Sequence, residues 1–343
     1  MKQVVIARAG GYEALRFETR ADPVPGPGEV LVRTAAIGVN FADCIVRMGL
    51  YASAKEYVGW PITPGFEVSG VVAAVGAGVH RFAEGDLVFG VTRFGGYATH
   101  VVLPEHQLYA KPAKLSHAQA ASLPAVFLTA YYALFELAAA RAGDDILVHS
   151  AAGGVGSLLL QLARIAKVRA VGVVGRPEKV QTALDMGAAH VIDKSHEDLW
   201  ARARALSPSG YASVFDANGV ETLQQSFEHL ARPGRLVIYG FHTMMQKGRG
   251  KPNWPKLALD WLRTPRFNPL DLTNKNASIM AFNLSYMFEN HALLARSVNQ
   301  LLAWIESGEL VAPPISLFPF ERVADAHRAI ESGNTVGKLV LEP

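Results

Sequence analysis

The chain has 343 residues, half of them hydrophobic and 18% charged, with a net charge of +3. That length suggests about two domains, and the apolar share is enough to fill real cores. The positive excess is small and dispersed, which excludes the basic stripe of a nucleic-acid binder, and the single cysteine, Cys44, excludes both an internal disulfide and a zinc lobe built from cysteines.

The N-terminal run MKQVVIARAGGYEALRF has no long apolar core, so no signal peptide is read and a cytoplasmic protein is expected. The first 110 residues read as β-rich, with Val-rich runs at 24–39, 66–79 and 84–91 between Gly and Pro punctuation. A small barrel or curled sheet is the natural solution. The stretch 115–135 carries no charge, but Ser116, His117, Gln119, Ser122 and Pro124 interrupt it, so a buried crossover is expected and no membrane span.

From about residue 125 the texture changes. A helix is expected over 128–140, a strand over 145–150, a glycine turn at 151–156 and an amphipathic helix over 155–167. A strand at 168–174, a helix at 177–187 and strand-like runs at 190–193, 213–219 and 234–240 repeat the rhythm. Strands alternating with helices imply a doubly wound parallel sheet. Residues 241–277 break the pattern with Pro252, Pro255, Pro265 and Pro269 beside Trp254 and Trp261, and read as an insertion, either a flap or a partner surface. Within it, the basic stretch Lys247 to Lys251 reads as a solvated loop. A strand over 277–288, a helix near 291–307, a short β tail and a helical segment at 321–332 complete the chain.

The central signal is Ser150-Ala151-Ala152-Gly153-Gly154-Val155-Gly156, between a strand and a helix. Small residues there let the backbone turn tightly, approach a pyrophosphate and pack the helix on the sheet, with the phosphates on free N–H groups. Ala151 stands where the dinucleotide fingerprint has its first glycine; Gly153 and Gly156 hold the second and third. An NAD site carries an acid about 20 residues on, for the ribose hydroxyl. Here that position reads Val173-Val174-Gly175-Arg176, with Lys179 following. The missing acid and the two cations favour NADPH, through pairing with its 2′-phosphate. The bland reading is a pair of solvated cations at a helix start.

With these residues in view, the chain resembles the medium-chain dehydrogenase/reductase superfamily, in its zinc-independent quinone oxidoreductase (ζ-crystallin-like) group. The resemblance is carried by GVNFADCIVRMGLY (38–51), PGFEVSGVVAAVGAGV (64–79), GDLVFG (85–90), GGYATHVVLP (95–104), ASLPAVFLTAYYAL (121–134), ILVHSAAGGVGSLLLQLA (146–163), PGRLVIYG (233–240) and the tail 324–343. The insertion and ASIMAFNLSYMF further suggest the branch of vesicle amine transport protein homologues. The resemblance implies an α/β protein: a β-rich GroES-like catalytic domain, 1–123 completed by 290–343, and a Rossmann NADPH-binding domain, 124–289, with the insertion at about 241–277. It also implies a cleft for nicotinamide and substrate, and a homodimer joined through the strand at about 279–284.

Zinc-dependent relatives have a Cys ligand near Asn40 and a His at Phe66, in a motif that reads Gly65-Phe66-Glu67 here. Phe cannot ligate a metal and Asn is a poor substitute for a thiolate, so no zinc is expected. The remaining chemistry suits an acceptor already electrophilic by conjugation, a quinone or other conjugated carbonyl, with an enone or enoyl-thioester reductase as alternative. An NADPH-binding interaction protein with little turnover is a third reading. The resemblance assigns Tyr51 and Asn40 to the catalytic cleft, either as donors to developing oxyanion charge or as positioning groups; plain packing is the bland reading of Tyr51. It sets Thr129 near the nicotinamide and Lys194 near the adenosine phosphate, where many relatives have Tyr. Gly154, Val155, Asn218, Tyr239, Gly240, Phe241, Phe282 and Asn283 complete the implied cofactor set, though the aromatics are equally at home in a core.

Overall fold

The computed structural model describes residues 1–343 except Gln246, Lys247 and Arg249. The chain forms two compact units, Met1–Ala125 with Lys247–Lys251 and Leu284–Pro343, and Val126–Gln246 with Pro252–Asn283. In chain order the strands are β1 (Lys2–Val5), β2 (Arg16–Thr19), β3 (Glu29–Val39), β4 (Glu67–Val75), β5 (Leu87–Val91), β6 (His100–Pro104), β7 (Leu108–Ala110), β8 (Asp145–Val148), β9 (Arg169–Val174), β10 (His190–Asp193), β11 (Tyr211–Asp216), β12 (Leu230–Ile238), β13 (Ala277–Ala281), β14 (Ile315–Pro319) and β15 (Lys338–Glu342).

The first unit is built on β3. One edge of β3 pairs with β4 along most of its length. The other edge is shared, with β6 opposite Glu29 to Arg33 and β15 opposite Ile37 to Val39. Register shifts between Leu31 and Val32 and between Thr34 and Ala36 bend the strand, as bulges do, and the sheet β14-β15-β3-β4-β5-β7 curls around its own core. Val4, Val32, Val68, Val72, Leu103 and Phe320 fill that core. The expected curled sheet is therefore present. Two short helices, Phe41–Arg47 and Ala52–Tyr57, interrupt it where the sequence pattern announced no helix.

The second unit is a six-stranded sheet in the order β10-β9-β8-β11-β12-β13, every pair parallel. Its central strands β8, β9 and β11 are largely apolar because both faces are covered; Val171, Val173, Leu147 and Val214 are all buried. The helix after β8 spans Gly154–Ile165 and buries Leu158, Leu159, Leu160 and Leu162.

Two expectations need correction. The helix expected over 128–140 starts earlier, at Pro124, and widens at Tyr132 into a π-helical segment ending at Leu137, where the Ala138 N–H reaches back to the Ala133 carbonyl. The strand expected over 277–288 stops at Ala281; Leu284–Met287 is a 3-10 turn in the first unit, held there by Arg93, which donates to the Ser285 carbonyl at 3.2 Å and pairs with Glu289 at 2.6 Å. The insertion is helical, with Trp254–Arg263 and Pro269–Lys275 each capped by a preceding Asn side chain. In the basic stretch, Lys247 and Arg249 lie outside the described residues; Lys251 is exposed and pairs at the surface with Glu13, while the Gly250 carbonyl accepts from Arg47. No described helix is long and apolar enough to cross a membrane.

Candidate functional site

All six strands of the second unit run the same way, so their C-terminal ends share one edge. The expected cofactor residues follow those ends one after another. The glycine turn follows β8, Gly175 and Arg176 follow β9, Lys194 follows β10, Asn218 follows β11, Tyr239 to Phe241 follow β12, and Phe282 and Asn283 follow β13. That edge is where open parallel sheets bind ligands.

The turn itself is tightly determined. Ser150 adopts φ 54° and its hydroxyl donates to Asn218 Oδ1 at 3.2 Å, tying the turn to the end of β11. A Cβ on Gly156 would lie 2.4 Å from the Ser150 carbonyl oxygen and 2.7 Å from Ala151 Cα, so the helix can approach the turn only with glycine there. Gly153 is different: its Cβ would meet only the Ser150 oxygen, at 3.2 Å, which leaves its other side open. Among the described residues no side chain caps the helix that follows, so the N–H groups of its first turn are available to an anion. Beside the turn, Gly175 is open except for Lys194 Cε at 3.6 Å from its would-be Cβ. Arg176 and Lys194 are exposed and Lys179 half-buried. The small turn, the uncapped N–H groups and the cations fit a dinucleotide carrying a further phosphate. Thr129 lies half-buried on the helix Pro124–Tyr131; Tyr132 on the widened turn stacks edgewise on Phe282 at 5.0 Å. Phe241 is half exposed and borders Gly219, whose would-be Cβ lies 2.8 Å from its ring.

In the first unit, Asn40 and Tyr51 meet at the Phe66-Glu67 dipeptide. Tyr51 packs edge-on against Phe66 and Phe94, with ring centroids 5.8 and 6.3 Å away, and its hydroxyl shares a hydrogen bond with Ser285 Oγ at 3.1 Å. Asn40 precedes the helix Phe41–Arg47; its backbone N–H donates to Asp43 and its side-chain amide donates to Glu67 Oε1 at 2.8 Å. Burial pushes the Asp43 carboxyl up to about 7 despite the N–H groups of Asn40 and Gly65 and the Tyr97 hydroxyl that it accepts. Glu67 is in turn paired with Lys338. Sequence reading passed over Lys338, Phe94 and Ser285 and gave Glu67 no role. The signal for Glu67 and Lys338 was there: each is a charged residue inside an apolar strand, FEVSGVV and KLVLE, and a charge in such a strand needs a partner.

Among the described residues, one group of potential ligands comes together, Cys44, His327 and Glu331. The Arg47 guanidinium already fills it, 2.8 Å from His327 Nδ1 and 2.6 Å from Glu331. Burial also drives the Cys44 thiol well above its usual range, which makes it a packed group and no nucleophile.

Comparison with known proteins agrees with this architecture. Residues 26–113 match the family model described as an alcohol dehydrogenase GroES-like domain, and residues 186–341 match the one described as a zinc-binding dehydrogenase. The synaptic vesicle membrane protein VAT-1 homolog of Rattus norvegicus is 34% identical over 100% of this chain and 84% of its own length. Among solved structures, the quinone oxidoreductase of Escherichia coli complexed with NADPH superposes with a TM-score of 0.85 at 28% identity, over 100% of both chains. The CurK enoyl reductase gives 0.86 at 26% identity, over 99% of this chain and 98% of its own. Matched from end to end by proteins that share both its GroES-like and its Rossmann-like unit, the chain belongs to the medium-chain dehydrogenase/reductase superfamily, alongside VAT-1 homologues and quinone oxidoreductases.

Proposed function

We propose that this protein is an NADPH-dependent, zinc-independent reductase that delivers hydride to a quinone or another conjugated carbonyl. The observation that carries the reading is the C-terminal sheet edge of the second unit. There an uncapped helix N-terminus follows a glycine turn, and Gly175, Arg176, Lys179 and Lys194 stand where an NAD site would carry an acid. The N–H groups of Gly154, Val155 and Gly156 hold the pyrophosphate. Arg176 and Lys179 pair the 2′-phosphate, with Lys194 beside them. Thr129, Asn218, Tyr239, Gly240, Phe241, Phe282 and Asn283 border the remainder of the dinucleotide. When bound, NADPH supplies the hydride; what remains for the protein is to hold, orient and polarise.

A metal has no place in this reading, because Phe66 offers no ligand atom and the Asn40 amide is engaged by Glu67. An isolated ketone would then lack its Lewis acid. A conjugated acceptor needs less help: hydride goes to one end of the conjugated system, charge develops on oxygen, and a proton from water or a side chain completes the reduction. Tyr51 and Asn40 supply neutral donors for that oxygen. The aromatic wall of Tyr51, Phe66 and Phe94 favours a flat acceptor. A homodimer formed through the outer edge of β13, an edge strand of the sheet, completes the proposal.

The test is NADPH consumption against a panel of quinones, enones and enoyl thioesters, with and without chelator. Turnover of a conjugated acceptor, indifferent to chelation, is expected; zinc-restored activity after chelation would refute it. NADPH is expected to bind more tightly than NADH. Arg176→Ala with Lys179→Ala should narrow that gap by about tenfold or more, since each charge-assisted hydrogen bond is worth about 1.5–3 kcal/mol. Equal affinities in the unaltered protein would sink the assignment. One observation favours a second reading, a nicotinamide-binding interaction protein: the helix Trp254–Arg263 turns its tryptophans to solvent. No oxidation of NADPH across the whole panel would select it.

A further inference from the structure

Lys338 is 3% exposed and Glu67 0%, which makes theirs a fully buried ion pair, at 2.6 Å. The pairing of β15 with β3 sets Leu339 opposite Val39, so Lys338 comes level with Asn40. Its ammonium has three protons and three acceptors: the Val39 carbonyl at 2.8 Å, Asn40 Oδ1 at 2.7 Å and Glu67 Oε1 at 2.6 Å. Glu67 spends its other oxygen on the Ala125 N–H, at 2.7 Å. A buried pair of this kind contributes little net stability, because desolvation of two charges offsets their attraction. What it does determine is the third member of the group.

An Asn amide can ordinarily be turned over with little change in shape. Here it cannot. Oδ1 faces an ammonium, which only donates, and Nδ2 faces a carboxylate, which only accepts. Turning the amide over would set donor against donor and acceptor against acceptor beside a buried ion pair. The closed ring through Lys338 Nζ, Asn40 Oδ1, Asn40 Nδ2 and Glu67 Oε1 consumes the amide hydrogen cis to Oδ1. The hydrogen trans to Oδ1 has no acceptor among the described residues, and it sits on an amide whose oxygen is polarised by a cation, which strengthens it as a donor.

We propose that Lys338 is the positioning residue for Asn40, fixing and polarising its amide so that the remaining Nδ2–H is presented to the acceptor oxygen as negative charge develops. This rests on the reductase reading above and adds to it a residue that touches neither cofactor nor acceptor. The gain is preorganisation: the donor needs no reorientation when the charge appears.

Lys338→Met alone would strand the Glu67 charge, so the informative variant is Lys338→Met with Glu67→Gln, which removes both charges and frees the amide to turn. With the quinone that the unaltered enzyme turns over best, this pair is expected to keep NADPH affinity and KM within about twofold and to lose kcat about 10- to 100-fold, the size of one oxyanion donor or somewhat less. Asn40→Ala should cost kcat in the unaltered enzyme and cost nothing further in the paired background. The side-chain amide of Asn40, followed by 15N NMR without cofactor, should show one protected hydrogen that becomes fast-exchanging in the pair. A folded pair with unaltered kcat, an Asn40→Ala cost that is equal in both backgrounds, or an Asn40 amide already fast-exchanging in the unaltered protein overturns the proposal. Absence of turnover in the unaltered protein is a separate result: it removes the reductase reading, and this one with it.

Discussion

Two helices of the second unit are strongly two-faced in sequence and treat their faces in opposite ways. The helix Gly154–Ile165 lays Leu158, Leu159, Leu160 and Leu162 into the core. The helix Trp254–Arg263 does the reverse. Trp254, Trp261 and Leu262 are 66, 63 and 66% exposed, while Asp260 is 7% exposed and paired with Lys256. The Lys256 ammonium also donates to the Thr243 carbonyl at 2.7 Å, and Thr264 donates to the Asp260 carbonyl at 2.8 Å. Amphipathicity tells that a helix has an apolar side, and burial of that side is the default. In the second helix the buried side carries a short chain of charged and polar contacts instead. The two helices are therefore expected to hold their places by different forces, and each to fail in a different way.

The largest effect is expected in the first helix. Leu159→Ala removes a side chain that is wholly buried and leaves a cavity in a close-packed interior, at a cost of about 2–5 kcal/mol. Urea unfolding followed by circular dichroism measures it. A loss under about 1 kcal/mol would mean that the helix is not held by its apolar face, and the contrast would collapse.

An intermediate effect is expected at Asp260. Asp260→Ala takes away the partner of a half-buried ammonium, and hydrogen bonds to charged groups are worth about 1.5–3 kcal/mol. The consequence should be local: hydrogen exchange should speed up across 254–263 while the sheet strands keep their protection. Uniform loss of protection across the unit would show that the helix is integral to the core.

The same contrast marks what the sequence made legible. The parallel sheet was readable because β8, β9 and β11 are short apolar runs flanked by Gly, and burial on both faces gives such runs. The glycine turn was readable because strand, small residues and helix arrive in order, and Gly156 is sterically required. The sidedness of the 254–263 helix was not readable, since the contact of Lys256 on its buried side is with Thr243, a residue in another element. Nor was the widening at Tyr132, because apolar spacing registers a helix without counting residues per turn. The end of β13 escaped for a similar reason: Ser285 and Glu289 are claimed by Arg93, far away in the chain. In the candidate site, Asn40 and Tyr51 were named by resemblance, but the two charges that contact the Asn40 amide lie 271 residues apart in sequence and meet only through the pairing of β15 with β3 and β3 with β4.

The smallest effect is the most discriminating. Trp254→Ser, Trp261→Ser and Leu262→Ser change three large side chains that are mostly in solvent already, so each should alter unfolding free energy by no more than about 0.5 kcal/mol. For the buried leucines of the first helix, the same replacement would be ruinous. A triple Ser variant that melts within a few degrees of the unaltered protein, and whose 254–263 amides exchange at the same rate, establishes that Lys256, Asp260 and Thr243 suffice to seat the helix. A steep drop in melting temperature that depends on protein concentration in the unaltered chain, and not in the variant, would give a different answer. The apolar face would then be stabilised by contact between molecules, and the orientation seen in one chain would be a preparation for that contact, since burying such a face contributes about 25 cal/mol for each Å² removed from water.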